Sequence, residues 1–257
     1  MHVFTLDAHP KLKSASTVWD YVFIVLSIVL GTGSVFLLVF GESLGFTIRF
    51  VGWFEIQILL WDTCLSLLFF VQHSGMVRKS FRRQVMKIFP QQYDNAIYAI
   101  ASGIALALVA VFWQKSETTI LVLHGTARTI VAMCNLLGLL LFILGASSLR
   151  PFDPLGIGPI RAHLRDKKYQ PGPIIIRGPY KWMRHPLYSA VLLMFWANPD
   201  VTTDRLLFNV LWTAWICVAT LLEERDLTVE FGDPYVQYKK TVPMLIPWRI
   251  PRPATSA

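Results

Sequence analysis

The sequence predicts an all-α, polytopic membrane protein with four long transmembrane helices, a C-terminal helical hairpin and a cytoplasmic cap. Composition is the first reason: 54% of the 257 residues are hydrophobic and only 16% are charged, whereas soluble domains carry about 25% charged residues. The mean hydropathy of +0.49 agrees with this. The second reason is that the apolar residues form long runs. A bilayer, rather than one buried core, is the natural solvent for so much apolar surface.

The first four apolar runs are each long enough to cross a membrane, which takes roughly 20 residues. Residues 21–40 contain no charge. This run exceeds the apolar core of a signal peptide, about 7–15 residues, and no small-residue cleavage site follows it, so we expect a retained helix. The next three runs are 50–70, 95–113 and 129–149.

The chain changes character after residue 149. Residues 150–186 are rich in Pro, Gly and basic side chains, so this loop is too polar to span a membrane. Two shorter apolar segments follow at 187–197 and 206–222, separated by the strong turn signal Asn198-Pro199-Asp200. At about 1.5 Å per residue the first of them is too short to cross a bilayer. The pair therefore predicts a helical hairpin.

The basic residues orient these spans. Of the 24 Lys and Arg residues, 20 lie on alternate connections and 4 on the others. The positive-inside rule places the rich side in the cytoplasm, with both termini and the 150–186 loop. This distribution explains the net charge of +8 without a nucleic-acid partner. The three cysteines lie inside apolar runs without metal-like spacing, so no metal site is expected.

Two polar clusters stand at the predicted mouth of the hairpin. One surrounds Arg184 and His185, a permanent cation and a donor or acceptor near neutrality. The other is Glu223-Glu224, where the last apolar run ends. Each has an ordinary alternative, since aromatic and cationic residues form belts at membrane edges and carboxylates can be the first solvated residues beyond a span. If the hairpin folds back, the two clusters meet.

These clusters resemble the isoprenylcysteine carboxyl methyltransferase superfamily over residues 175–248. The shared features are Arg184-His185-Pro186-Leu187-Tyr188, Glu223-Glu224, Tyr235, Tyr238 and Val242-Pro243-Met244-Leu245-Ile246-Pro247. The resemblance implies an S-adenosylmethionine site beside the membrane, capped by the 150–186 loop and the tail. The residues that it implies for cofactor binding are Tyr180, Arg184, His185, Pro186, Tyr188, Glu223 and Glu224.

A resemblance over more of the chain points to the bacterial methanethiol S-methyltransferases, which make dimethyl sulfide. It rests on Gln72-His73-Ser74-Gly75-Met76, the basic stretch ending at Pro90, Phe152-Asp153, Glu223-Glu224-Arg225-Asp226-Leu227 and Phe231-Gly232. It implies an integral protein of a bacterial inner membrane, with residues 1–149 on the acceptor side and 150–257 binding the cofactor. The acceptor would be a small thiol, and lipid the surrounding partner.

Three ionisable residues lie on one stripe of the second predicted helix, with the last just beyond the apolar run: Glu55, Asp62 and His73. Such residues inside a membrane are costly and often functional. His73 and Arg184 are the expected catalytic groups, because a base or a positive field favours the reactive thiolate. Asp62 and His73 are the expected substrate contacts. The stripe could instead be a structural seam satisfied by neighbouring helices.

Three other functions stay open at this point. The acceptor could be an isoprenylcysteine carboxylate or another lipophilic group. The chain could also be a non-catalytic accessory protein, similar to the family linked to nitric oxide metabolism, or a transporter whose pathway uses Glu55 and Asp62. Binding of S-adenosylhomocysteine separates an enzyme from the last two, since a transporter should not bind it and an accessory protein should bind it without turnover.

Overall fold

A computed structural model describes residues 10–41, 44–149, 153–170 and 174–248. These residues contain nine α-helices and two short strands. In chain order they are α1 (Pro10–Phe40), α2 (Glu55–Val77), α3 (Lys79–Val85), α4 (Asp94–Phe112), β1 (Thr119–Val122), α5 (Gly125–Ser148), α6 (Ile157–Leu164), α7 (Pro186–Trp196), β2 (Asp200–Thr202), α8 (Thr203–Phe231) and α9 (Asp233–Thr241). Single turns of 3₁₀ helix occur at Gln91–Tyr93 and Gly178–Lys181.

Five helices are long and apolar enough to cross a membrane: Thr17–Val39 within α1, α2, Gln91–Phe112 around α4, α5 and α8. The predicted multi-pass, all-α membrane fold is confirmed. The hairpin is less even than expected, because α7 has 11 residues and α8 has 29. At 1.5 Å per residue α8 is roughly 43 Å long, enough to span a bilayer by itself. Its charged C-terminal third was not apparent from hydropathy alone.

The helices fall into two compact units that interleave along the chain. One contains residues 1–48, 67–113 and 153–171, and the other contains residues 49–66, 114–152 and 172–257. We call them the first and the second unit. These units are defined by packing alone and do not test function. The expected division into an acceptor side before residue 150 and a cofactor-binding side after residue 149 stays a prediction.

The first unit is built on the pairing of α1 with α4. Gly103 allows this contact, because a Cβ there would collide with the Leu30 carbonyl. Helix α6 closes the other side, where Ile24, Ala96 and Ile160 share one buried cluster. The Ser27 hydroxyl adds a hydrogen bond to the carbonyl of Leu155, just before α6. The segment 153–164 is thereby fixed against α1.

The second unit packs α5 against the short helix α7. Gly138 gives α7 room, since a Cβ at that position would lie 2.8 Å from the Met194 side chain. The Asn135 amide donates to the carbonyls of Met194 and Ala197, both at 3.2 Å, at the end of α7. These bonds satisfy carbonyls that a helix end leaves without partners.

A two-stranded antiparallel sheet lies at this end of the second unit, where β1 pairs with β2. The Arg128 guanidinium beside it makes two hydrogen bonds to Asp200, at 2.7 and 2.8 Å. Those bonds hold the pKa of the Asp200 carboxyl below its usual value. The sheet was not expected from the sequence, since its strands have only four and three residues.

Candidate active site

The loop before α7 is anchored on the C-terminal end of α5. Gly178 has a φ of +55°, and a Cβ on it would collide with the Ser148 hydroxyl, so glycine suits both the backbone and the space. Arg177 Nε donates to the Ser148 carbonyl at 2.6 Å. These contacts fix the 3₁₀ turn that carries Tyr180. The Tyr180 carbonyl in turn accepts the Tyr238 hydroxyl at 2.5 Å, which joins the loop to α9.

The tail of the chain lies against the start of α7. The backbone N–H groups of Arg184 and His185 donate to the carbonyls of Pro243 and Met244, at 2.9 and 3.1 Å. Pro186 then begins α7 at a position where a missing N–H costs nothing. The loop, the helix start and the tail are therefore one hydrogen-bonded structure.

Glu224 is the centre of the charged cluster. Its Oε1 accepts Arg184 Nε at 2.5 Å and lies 3.2 Å from His185 Nε2, while Oε2 lies 3.3 Å from Lys239 Nζ. Arg184 Nη1 also donates to the carbonyls of Lys239, at 3.1 Å, and Val242. The two polar clusters recognised in the sequence therefore meet. Arg184 therefore connects the loop before α7 to α8 and α9 through contacts within the protein itself.

His185 is buried within this cluster, with 6% of its side chain exposed. Its ring stacks on Tyr188, with centroids 5.6 Å apart and planes 12° apart. Burial lowers the pKa of His185, and the negative charges of Glu223 and Glu224 oppose that change. The ring is therefore disposed to be neutral near pH 7, with one nitrogen donating and the other accepting.

Two residues here have buried polar atoms without a hydrogen-bond partner, the Tyr235 hydroxyl and the Glu223 carboxylate, and Glu223 is the one that carries charge. Its Oε2 is buried, accepts no hydrogen bond and lies 3.7 Å from His185 Nδ1. Buried polar atoms are normally paired, so an unused acceptor calls for an explanation. S-adenosylmethionine offers ribose hydroxyls and an ammonium group that could supply the donor, so the residues present fit this cofactor. The part of Glu223 that solvent reaches, 42% of the side chain, gives a ligand access.

Three tyrosines line the same region: Tyr180, Tyr235 and Tyr238. Burial raises the pKa of each well above its usual value, so all three are neutral phenols that can donate a hydrogen bond. The sequence motifs contain Tyr235 and Tyr238 without giving them a role. Lys239 was counted only as a tail cation, and its contact with Glu224 has no local sequence signal.

His73 lies in the first unit, in contact with two hydroxyl groups of α4. Its Nε2 is 2.7 Å from the Tyr98 hydroxyl, and its Nδ1 is 3.1 Å from Ser102 Oγ. The Phe69 ring packs beside it, with centroids 5.2 Å apart. Tyr98 and Ser102, four residues apart on one helix face, were not among the expected site residues. Because a hydroxyl can either donate or accept, this pair of contacts suits either neutral tautomer of the ring and holds it in place.

The other two residues of the stripe contact the segment that follows α4. Asp62 is fully buried, and its Oδ1 accepts the backbone N–H of Gln114 at 2.9 Å. Glu55 Oε1 accepts the Ser116 hydroxyl at 2.6 Å. Asp62 thus binds the backbone of this segment and Glu55 binds one of its side chains. These contacts fit a structural seam, and the substrate role expected for Asp62 stays a prediction.

Comparison with known proteins places this site in a family context. The family profile described as NnrU protein matches residues 63–231. A methanethiol S-methyltransferase from Pseudomonas sp. (strain GM41(2012)) is 34% identical over 196 residues, 74% of each chain. One from Mycobacterium tuberculosis (strain ATCC 25618 / H37Rv) is 30% identical over 235 residues, 87% of this chain and 96% of its own. Nurim from Rattus norvegicus is 27% identical over 181 residues, 66% of this chain and 68% of its own.

No solved structure matches the chain. The matched region 63–231 includes His73, the loop before α7 and both carboxylates of the Glu pair. The resemblance to membrane methyltransferases expected from the motifs is confirmed by these relatives. The profile covers well over half of the sequence, and this chain therefore belongs to the NnrU protein family.

Proposed function

We propose that this protein is an integral membrane methyltransferase that moves the methyl group of S-adenosylmethionine to a small thiol, with methanethiol giving dimethyl sulfide. One observation carries the proposal: relatives named methanethiol S-methyltransferase align over 74% of the chain at 34% identity. The unused buried acceptor of Glu223, beside Arg184 and His185, supports the cofactor assignment. The region matched by the family profile, residues 63–231, also contains His73.

The reaction that these residues serve is a displacement at carbon. When bound, S-adenosylmethionine supplies a methyl group on a positively charged sulfur, which is a good leaving group. The thiolate sulfur forms the new bond to the methyl carbon, and the electron pair of the broken bond stays on the donor sulfur. Alignment of the two reactants and exclusion of water should therefore contribute more than acid–base help.

In this proposal the second unit holds the donor. Glu223 accepts a hydrogen bond from a ribose hydroxyl or the ammonium group, and Tyr180 and Tyr188 form part of the wall. Arg184 and His185 have two roles in it. They keep Glu224 and the tail in place, and they supply a positive or hydrogen-bonding surface for the cofactor's carboxylate.

His73 takes the proton of the thiol in this proposal. A thiol reacts as its thiolate, and an ordinary thiol is mostly protonated at neutral pH. The hydroxyls of Tyr98 and Ser102 hold the ring in place. His73 would then be catalytic, with Tyr98 and Ser102 as positioning residues.

The test is a paired assay on purified protein with methyl-labelled S-adenosylmethionine. Methanethiol is supplied in one arm and a prenylcysteine in the other, with headspace gas chromatography for dimethyl sulfide and extraction for methyl ester. Dimethyl sulfide without ester supports the proposal. Ester without dimethyl sulfide would overturn the choice of acceptor. Binding of S-adenosylhomocysteine with neither product would indicate an accessory protein.

We also propose the bacterial inner membrane as the location, with both termini in the cytoplasm. The distribution of 20 against 4 basic residues supports this orientation. Single cysteines at residues 80 and 240, in a variant whose three native cysteines are replaced, should react with an impermeant reagent only from the cytoplasmic side. Labelling of the two positions from opposite faces would contradict it.

A further inference from the structure

A cavity of about 490 Å³ opens in the first unit, between α1 and α6. Its polar lining includes Asp20 of α1, Arg161 and Arg165 of α6 and its end, and Asp166. Its apolar lining includes Tyr21 and Ile24. The volume lies within the range of small-molecule sites, about 300–1,000 Å³. None of these residues belongs to the candidate active site.

The floor of this cavity is rigidly built around Asp20. This carboxylate is 1% exposed, and it accepts the Tyr93 hydroxyl at 2.7 Å through one oxygen. His163 Nδ1 lies 3.0 Å from the other oxygen. Below it, Ile24 and Ile160 join the buried cluster of the unit. Asp20 is thus a buried carboxyl group held in place by two neighbours at the base of the cavity.

Asp166 at the rim adopts a strained backbone. Its φ is +52°, and every other residue with positive φ in the described part of the chain is glycine. The backbone turns there to end α6, where the N–H groups of Asp166 and Lys167 donate to the carbonyls of His163 and Ala162. Glycine would make this turn without strain. Aspartate is one of the few residues besides glycine that tolerate this conformation, and its side chain lines the cavity.

Arg161 and Arg165 supply the opposite charge. They are four residues apart, so they lie on the same face of the chain as it passes through α6. Guanidinium groups bind phosphate oxygens in a forked geometry. The cavity therefore presents paired cations and paired carboxylates. A ligand that matches both has a phosphate and an ammonium group a short distance apart.

The position of the cavity indicates where such a ligand comes from. Its lining on α1 runs from Thr17 to Ile24, in the N-terminal part of the Thr17–Val39 apolar span. Seven residues of helix cover about 10 Å, which crosses from headgroup depth into the hydrocarbon. Val18, Val22 and Val25 on the same helix are exposed. Acyl chains can lie against these side chains while a headgroup occupies the cavity.

We propose that this cavity binds the headgroup of an aminophospholipid, with the phosphate on Arg161 and Arg165 and the ammonium group on the carboxylate of Asp166. The bound lipid joins α6 to α1 and so steadies the 153–170 segment. A soluble phosphoethanolamine compound has the same charges, and the acyl contacts on α1 distinguish the two sources.

The test is native mass spectrometry of the full chain in detergent, titrated with phosphatidylethanolamine, phosphatidylglycerol, phosphatidylcholine and soluble glycerophosphoethanolamine. Phosphatidylethanolamine should bind best, since phosphatidylglycerol lacks the ammonium and phosphatidylcholine cannot donate hydrogen bonds from it. The double variant Arg161→Ala, Arg165→Ala should weaken that binding by roughly 10- to 150-fold, as expected for lost hydrogen bonds to a charged group. Lys167→Ala is the control, because Lys167 is exposed and does not line the cavity. This variant should bind phosphatidylethanolamine as the parent does.

Asp166→Gly distinguishes the role of this residue in the turn that ends α6 from its role in contacting the ligand. Glycine relieves the strained turn, so the unfolding midpoint without lipid should be equal or higher, while affinity for phosphatidylethanolamine should fall. Full affinity in Asp166→Gly, or equal binding of phosphatidylglycerol, would overturn the proposal. So would equally tight binding of the soluble compound, or displacement of the lipid by S-adenosylhomocysteine. Both cavity variants should retain S-adenosylhomocysteine binding, so this test is independent of the proposed methyl transfer.

Discussion

Arg184 Nε and Glu224 Oε1, forty residues apart in sequence, share a 2.5 Å hydrogen bond, with 9% and 6% of their side chains exposed. Arg184 adds hydrogen bonds to the carbonyls of Lys239 and Val242. Loop, long helix and tail are therefore held together by one charged pair. Removing one partner of such a pair leaves a buried charge without compensation.

Glu224→Gln should destabilise the protein by about 3–5 kcal/mol, because Arg184 would be left buried without its counter-charge. Its unfolding midpoint in detergent should drop clearly below that of the parent. Glu230→Gln, an exposed carboxylate farther along α8, is the control and should unfold as the parent does. An unchanged midpoint for Glu224→Gln would show that the pair contributes little to the fold.

Glu223→Gln should behave differently, since Glu223 Oε2 accepts no hydrogen bond in the protein itself. We expect a nearly unchanged unfolding midpoint and an affinity for S-adenosylhomocysteine lower by roughly 10- to 150-fold, the effect of a lost hydrogen bond to a charged group. Isothermal titration calorimetry measures this. Asp226→Asn, exposed on the same helix, should leave the affinity unchanged. Normal affinity in Glu223→Gln would place the cofactor elsewhere.

His185 should make stability depend on pH. Burial lowers its pKa below the ordinary value of 6.5, so the unfolded chain takes up a proton first as the pH falls. The resulting stability is fully present above about pH 6.5 and is lost as the pH falls through the folded-state pKa. Unfolding midpoints between pH 8 and pH 5 should fall more for the parent than for His185→Asn. Parallel curves would mean that the pKa of His185 is not lowered on folding.

The sequence predicted the structure best where it depends on residues close together in the chain. Hydropathy over about twenty residues predicted the four long spans, because each helix meets lipid independently of the others. Partners distant in sequence were harder to foresee. Thr119 pairs with Thr202 in the small sheet, and neither strand has enough residues to show a periodic pattern.

The same limit applies within the candidate site. The motifs selected Arg184 and Glu224 as separate ligand contacts, while the fold joins them directly. Their meeting followed from expecting a hairpin that folds back. The additional contact of Lys239 depends on how α9 returns to α8, which no local pattern specifies.

The proton-accepting role of His73 predicts a pH-dependent defect. His73→Ala should lower kcat with methanethiol by about 10²–10⁴-fold at pH 7, the usual contribution of a general base. The defect should become smaller as the pH approaches the pKa of the substrate thiol, since a thiolate already formed in solution needs no base. Val71→Ala, at an exposed position of the same helix, is the control. A defect that is the same at every pH would remove the base assignment while leaving a structural role.

Tyr98→Phe and Ser102→Ala extend that experiment to the two positioning hydroxyls. Each should lower kcat by less than His73→Ala does and leave the KM for the thiol nearly unchanged, since neither is proposed to touch the substrate.

Asp62→Ala tests whether the polar stripe is structural or contacts the substrate. Without the carboxylate, the buried N–H of Gln114 loses its acceptor, which costs about 1–3 kcal/mol. If Asp62 serves only that bond, the unfolding midpoint falls while the KM for the thiol and the affinity for S-adenosylhomocysteine stay at parent values. Asp62→Asn keeps an oxygen that can accept the Gln114 N–H, so it should recover most of the stability. A raised KM in Asp62→Asn at normal stability would instead assign the carboxylate to the acceptor.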